Sequence, residues 1–371
     1  MRSTIQISGL EIPEEWLHIV QSPSQSLGIV KNFETCLAET WGSKWAVSTN
    51  SCTSGILASL LAIGIVRGDE VLVTPLSWPQ TYFPALSLGA ALTAADCSPV
   101  WPVLDSRALK KKINAKTKAV ISVGLWGYTA GIKEVDFVCK QHGIPHILDG
   151  AQLHSLRTPQ KSIGDLADMV VLSFGSTKEE LPCGEGGAVL GSNNSLKDRL
   201  LYITAHPFRI HSELDDESLI EEGVEGFNYN LRIHPLAGLI GLKTLGKHED
   251  GLYRERLEKK RRKIISLLGE YSIRILHPPR GWKHSMENRA TILADARNLT
   301  CAERSKIELR LSRISAYSQG CCYKLINELK SLKRGTLFPW MKEMIAHDSC
   351  METELKWARY WKDNILAIRL R

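Results

Sequence analysis

The stretch Met169-Val170-Val171-Leu172-Ser173-Phe174, followed by Lys178 and then by Gly184-Glu185-Gly186-Gly187, decides how this chain is read. A short, nearly continuous apolar run bounded by turn residues reads as a buried strand. The lysine follows at the lip of that strand, just before the glycine-rich turn. Burial disfavours the charged ammonium of a lysine, so an amine in such a place can attack a carbonyl and form a Schiff base.

Outward from there the pattern repeats. Glu70-Val71-Leu72-Val73-Thr74, Lys118 to Val123, Pro145 to Leu148 and Gly187-Ala188-Val189-Leu190 are short apolar or β-branched runs. Ser54 to Ile65 and Ile132 to Gln141 carry helical spacing between them. Such alternation over residues 26–245 predicts an α/β protein, with a mostly parallel central sheet and helices on both faces. Beyond about residue 245 a long charged helix, Tyr253 to Leu268, leads into weaker strands and an irregular tail. The expected division is a large domain over 1–245 and a smaller C-terminal α+β domain over 246–371.

The bulk numbers exclude several classes. At 371 residues, with 43% hydrophobic and 23% charged residues, the chain has the make-up of a soluble enzyme. No apolar run reaches 18 residues, and the N-terminus lacks the basic-then-apolar order of a secretory signal. Nine cysteines without a C-x-x-C pair point to reduced thiols and a cytoplasmic location, not to a disulfide scaffold or zinc ribbon. The vicinal pair Cys321-Cys322 reads as small buried residues. Much of the net charge of +7 sits in Lys110-Lys111-Lys112 and Lys259-Lys260-Arg261-Arg262-Lys263. Glu255 and Glu258 share the second segment, which reads as a solvated helix face and not as a nucleic-acid surface.

Ligands in open α/β sheets gather beyond the carboxyl ends of the strands. Several reactive residues fall there. Asp149 ends Ile147-Leu148, Asn50-Ser51-Cys52-Thr53-Ser54-Gly55 opens a helix, and Trp78 lies just past a strand. Together they offer what pyridoxal phosphate asks of a protein. Lys178 supplies the Schiff-base amine, and Asp149 a carboxylate to keep the pyridine nitrogen protonated. The Asn50–Gly55 turn supplies a helix N-terminus with hydroxyls for the phosphate, and Ser173 adds another hydroxyl. Trp78 offers a face to stack on the ring, and Gln152 a donor to the 3′-oxygen. Singly, each has a plainer reading as a surface lysine, a turn aspartate or a helix cap. The order and spacing of the whole set carry the inference.

That set resembles the sugar aminotransferases of DegT/StrS type, which have the PLP-transferase fold type I of aspartate aminotransferase. Similar stretches are Phe33-Glu34 with Leu37-Ala38, Gly42 to Val47, Thr53-Ser54, Gly68-Asp69-Glu70-Val71, Pro75 to Trp78 and Lys116-Thr117-Lys118-Ala119. Further ones are Asp149-Gly150-Ala151-Gln152-Leu153-His154, Ser173 to Lys178 with Gly184 to Gly187, and Asn230-Leu231-Arg232 with Pro235-Leu236-Ala237. The likeness covers roughly residues 30–245. It implies transfer of an amino group from glutamate or glutamine to a keto sugar or keto cyclitol, in secondary metabolism, through Lys178 as the Schiff-base residue. By the same likeness Asn230 reaches the phosphate of a neighbouring subunit, so a homodimer with active sites at its interface is expected. No membrane, nucleic-acid or metal partner is expected.

His154 is a candidate for substrate contact and equally for a core histidine. Gly150 stands where the family usually has alanine. Gly124 replaces its usual histidine, which would remove a polar group near the substrate. The C-terminal third departs from the pattern, and His206-Pro207-Phe208-Arg209 is similar to a phrase in members acting on cyclitols. Relatives that dehydrate deoxysugars carry histidine in place of the lysine, and Lys178 points away from that branch. Three alternatives stay open: another reaction of the same cofactor (decarboxylation, aldol cleavage or side-chain replacement), a non-catalytic binding protein that keeps the fold, and a nucleic-acid role for the basic helix.

Overall fold

Valine and isoleucine pack well on a pleated surface, and the runs rich in them become the strands of one large sheet. The computed structural model describes residues 4–7, 10–153, 163–178, 181–223, 225, 226, 228–245, 251–276, 292–320, 323–329 and 355–370. Near the N-terminus β1 (Thr4–Ile7) and β2 (Leu10–Pro13) pair antiparallel. The large sheet holds β3 (Trp45–Thr49), β4 (Glu70–Val73), β5 (Ala91–Ala94), β6 (Thr117–Val123), β7 (His146–Asp149), β8 (Met169–Ser173) and β9 (Gly187–Gly191). Their order is β3-β9-β8-β7-β6-β4-β5. Strands β5, β4, β6, β7 and β8 run parallel, and β9 runs against both of its neighbours.

All five runs read as strands belong to this sheet, and β3 and β5 extend it at its two edges. Successive side chains of a strand point to opposite faces, and β8 uses both. Met169 and Val171 pack with Ile56 and Leu60 of the helix Cys52–Ala62. Val170 and Leu172 pack with Phe33, Leu37 and Trp41 of the helix Pro23–Trp41. Each such fully buried aliphatic side chain stabilises the fold by about 1.5–3 kcal/mol. Sheet, direction and layering agree with the α/β expectation.

One buried polar trio copies the outline of a hydrolase triad without its access. Ser122 Oγ lies 2.7 Å from His146 Nε2, and His146 Nδ1 lies 3.3 Å from Asp136 Oδ1. His146 is 0% exposed, between β6, β7 and the helix Ile132–Gln141. The trio ties these elements together. Burial alone would raise the Asp136 carboxyl, but hydrogen bonds from His146 and Lys140 outweigh it and hold it below its ordinary value.

The C-terminal region carries a second, antiparallel sheet. It holds β10 (Arg274–Leu276), β11 (Ile292–Asp295), β12 (Ala316–Gly320) and β13 (Ile365–Leu370), in the order β10-β11-β13-β12. Ile264 and Leu268 of the helix Gly251–Leu268, with Ile307 and Leu311 of the helix Cys301–Ser312, cover Ile292, Ala294 and Ile368. The basic run behaves as a helix face: Lys259, Lys260, Arg262 and Lys263 are exposed and Arg261 turns inward. Residues 246–250, where the domain division was expected, and Cys321-Cys322 lie outside the described residues. No helix among the described residues is long and apolar enough to cross a membrane.

The two sheets meet along a seam. Asp96 accepts from the amides of Trp357 (2.9 Å) and Ala358 (2.8 Å), so a residue just past β5 caps the helix Lys356–Asn364. Trp361 Nε1 donates to Ser98 O at 2.6 Å. Leu76 and Leu325 form a single antiparallel bridge, and Ile326 N donates to Pro75 O at 2.9 Å. That bridge carries Tyr323 to the rim of the large sheet.

Candidate active site

The carboxyl ends of β4, β6, β7 and β8 share one rim, and most of the expected site residues stand on it. Val123 pairs in register with Asp149, and Asp149 with Val171. Asp149 closes β7 and is 6% exposed. Its Oδ2 accepts from Thr81 Oγ1 at 2.6 Å, and its Oδ1 from Ala151 N at 3.0 Å. Cys52 Sγ lies 3.7 Å from the same Oδ1. All three neighbours are donors, and the two carboxylate oxygens accept from all of them. No ion pair is made to Asp149 among the described residues.

Lys178 follows β8 on a four-residue turn closed by Lys178 N donating to Gly175 O at 2.9 Å. It is half-buried and not sunk in an apolar wall as its sequence setting suggests. Its charge bears directly on Cys52. Desolvation pushes that thiol well above its ordinary range, Asp149 adds to the rise, and Lys178 opposes it. Cys52 therefore touches Asp149 and feels the charge of Lys178.

The helix Cys52–Ala62 begins at the same rim. Ser51 caps it, its Oγ accepting from Ser54 N at 3.1 Å and lying 2.9 Å from Ser54 Oγ. The cap occupies the Ser54 amide, so an anion would meet the first-turn amide of Thr53 and the hydroxyls of Thr53 and Ser54. Ser173 ends β8 opposite Gly187, the first residue of β9. A Cβ on Gly187 would lie 2.5 Å from Ser51 C and 2.6 Å from Cys52 N. Only glycine lets β9 start so close beneath the helix, and this explains the last residue of the Gly184–Gly187 turn.

Trp78 is 55% exposed, with its ring edge-on to Tyr323 at 6.4 Å between centroids. Gln152 is held at both ends of its amide: Oε1 accepts from Trp126 N at 2.7 Å and Nε2 donates to Tyr323 OH at 2.8 Å. Trp126 reaches that bond from a left-handed backbone, φ 53°, a strain that side chains outside glycine rarely carry. The departure at Gly124 has a steric reason. A Cβ there would fall 2.4–2.6 Å from the Leu153 side chain, so the leucine fills the space a larger residue would use.

Asn230 stands elsewhere. It is exposed, at φ 49°, and lines a cavity of about 400 Å³ with Val30, Ser48, Phe208 and Arg232. The backbone bond from Asn50 N to Leu231 O (2.8 Å) runs this segment past the turn that opens the Cys52 helix. Phe208 and Tyr229 beside it are 65% and 56% exposed. Arg209, from the cyclitol-like phrase, turns inward. It meets Glu34 at 3.0 and 2.6 Å and Glu213 at 2.9 Å, while Glu34 also accepts from Ser48 N and Oγ. That is a structural ion network. His154 lies outside the described residues.

Sequence reasoning missed Thr81, Cys52, Trp126 and Tyr323. Thr81 sits three residues past Trp78 and Cys52 inside the quoted helix-opening turn, but neither residue type announces its partner.

A parallel sheet with one reversed strand, and a lysine and an aspartate at its carboxyl rim, define a class of enzyme fold. The model of the DegT/DnrJ/EryC1/StrS aminotransferase family matches residues 15–310, and this chain belongs to that family. It is 28% identical over 237 residues to the spore coat polysaccharide biosynthesis protein SpsC of Bacillus subtilis. That match spans 63% of this chain and 59% of the relative's length. Helicobacter pylori PseC, an aminotransferase involved in pseudoaminic acid biosynthesis, has a similar fold. Its TM-score is 0.70 at 22% identity, over 92% of this chain and 85% of that one. The GDP-4-keto-6-deoxy-D-mannose-3-dehydratase of E. coli, solved with bound hydrated PLP, gives 0.71 at 20% identity over 100% and 96%. These two likenesses establish the PLP-transferase type I fold.

Proposed function

We propose that this chain is a PLP-dependent aminotransferase that moves an amino group from glutamate or glutamine to a keto sugar or keto cyclitol. The observation that carries the reading is the Asp149 carboxylate at the end of β7 with three donors on it, beside the end of β8 from which the turn to Lys178 leads. The donor set fits the cofactor: an amine, an anion without a protein counter-charge among the described residues, and a helix N-terminus with hydroxyls. Bound there, pyridoxal phosphate supplies an electron-withdrawing ring that lets a C–H bond of the donor release its proton.

The chain's own residues do the rest. Lys178 Nζ would hold the cofactor, and its free amine would take up the proton released at the donor α-carbon. Asp149 would keep the ring nitrogen protonated. Thr53, Ser54 and Ser173 bind the phosphate, Trp78 covers the ring, and Gln152 faces the 3′-oxygen. Asn230, exposed beside an apolar cavity, serves the phosphate of a second copy, so the working form is a homodimer. The biosynthetic roles in the names of SpsC and PseC support a sugar-like acceptor. Secondary metabolism in the cytoplasm is the setting we propose.

The test is a half-reaction. Purified protein with the cofactor is mixed with glutamate or glutamine, then with a panel of keto sugars and inososes, and products are read by mass. Loss of the lysine-bound absorbance band with release of the keto acid, followed by amination of one ketone, is expected. Carbon dioxide release or side-chain loss from the donor would contradict transamination.

A further inference from the structure

The two oxygens of Asp149 are held by different groups, and the grip on Oδ2 comes from a turn that also carries Trp78. Thr81 Oγ1 donates to Oδ2 at 2.6 Å and lies 2.9 Å from Ser77 Oγ. A hydroxyl has one proton to give. Thr81 spends its proton on the carboxylate, so Ser77 donates to Thr81, and the chain Ser77 to Thr81 to Asp149 runs one way. Ser77 and Thr81 are 3% and 2% exposed, so water does not compete for these bonds. Pro79–Thr81 is a single 3-10 turn that starts directly after Trp78, with Thr81 N donating to Trp78 O at 3.0 Å.

A buried hydroxyl needs some acceptor, and a structural role would be met by any backbone carbonyl. Tyr82, the next residue, does this with Thr74 O at 2.9 Å. Thr81 instead reaches across 68 positions of sequence to a side-chain carboxylate. A charge-assisted bond of that length fixes direction as well as distance. We propose that Thr81, backed by Ser77, is a positioning residue that holds the Asp149 carboxylate in register with the Trp78 face. The proposal rests on the PLP reading above. Without the Thr81 hydroxyl, Oδ2 loses its buried donor and the carboxylate is held through Oδ1 alone.

The test compares Thr81→Val, which keeps shape and loses the hydroxyl, with Thr81→Ser, which keeps the hydroxyl. Both are loaded with pyridoxal phosphate. Three readouts are followed: the pH titration of the lysine-bound band, the kcat and KM of the donor half-reaction, and thermal melting. An unsatisfied buried acceptor predicts a loss of about 10–100-fold in kcat for Thr81→Val, with KM changed by less than about 3-fold. The band's pH midpoint should move as well. Thr81→Ser should recover the wild-type rate to within about 3-fold. A merely structural hydroxyl would lower the melting point and leave midpoint and kcat alone, which would overturn the proposal. So would a Thr81→Ser protein as slow as Thr81→Val. If Thr81→Val does not fold, Ser77→Ala is read in its place: a smaller shift of midpoint and kcat in the same direction supports the relay, and no shift rejects it. Wild-type protein that never forms the band overturns the underlying reading and this proposal together; a normal wild-type band with an unaltered Thr81→Val rejects the proposal alone.

Discussion

The large sheet and the C-terminal sheet are assembled on opposite principles. In the large sheet β6, β7 and β8 lie side by side in chain order, and each ends on the same rim, at Val123, Asp149 and Ser173. In the C-terminal sheet the last strand, β13, inserts between β11 and β12, so the sheet closes only when residues 365–370 arrive. Chemistry follows the first arrangement, because parallel neighbours bring their strand ends together whatever the loops between them do. The second sheet is a cover, and among the described residues the C-terminal region's contribution to the rim is Tyr323, delivered by the Leu76–Leu325 bridge.

The sharpest way to break this contrast lies in the large region's ion network. Arg209→Ala leaves Glu34 and Glu213 without their buried partner. A loss of about 3–5 kcal/mol in urea unfolding is expected, with cofactor absorbance retained. Unchanged stability with a changed acceptor preference would return the His206–Arg209 phrase to the substrate site. The network also has a pH signature. Burial would raise the Glu213 carboxyl, but its bonds to Arg209 and Lys31 outweigh this and hold it below its ordinary range. A group depressed in the folded state stabilises at neutral pH. That contribution should therefore fade as pH falls through the lowered value, on the acid side of the usual carboxylate range.

A smaller effect sharpens the role of the seam. Asp96→Ala removes the cap that the segment after β5 lends to the helix Lys356–Asn364. The expected cost is about 0.5–2 kcal/mol, with faster amide exchange at Trp357 and Ala358 and none in β6 to β8. Faster exchange throughout the large sheet would mean that the two sheets unfold as one unit.

How much was legible follows from the same contrast. Strands β4 and β6 to β9 announce themselves because they are buried on both faces and so are nearly continuous in apolar residues. Strand β5 is an edge that alternates buried with half-buried residues, a weaker pattern over four positions, while the edge strand β3 is buried throughout but ends on the polar Ser48 and Thr49. The placement of Lys178, Asp149, Trp78 and Gln152 just at or beyond strand ends was legible, because each follows an apolar run by a few residues. Thr81 and Cys52 could not, since a hydroxyl or thiol gains its meaning from a partner 68 or 97 positions away. Tyr323 lies in the region whose pairings are non-local. The half-burial of Lys178 also escaped, because the apolar run before it ends at Phe174 and the turn lifts the lysine outward.

The claim on which all this stands is that Lys178 and Asp149 serve one bound cofactor. Borohydride reduction of the protein loaded with pyridoxal phosphate, followed by peptide mass mapping, tests it most directly. The account predicts a single pyridoxyl group on the peptide containing Lys178, and none after Lys178→Ala. A label on another lysine, or the same labelling in Lys178→Ala, would contradict it.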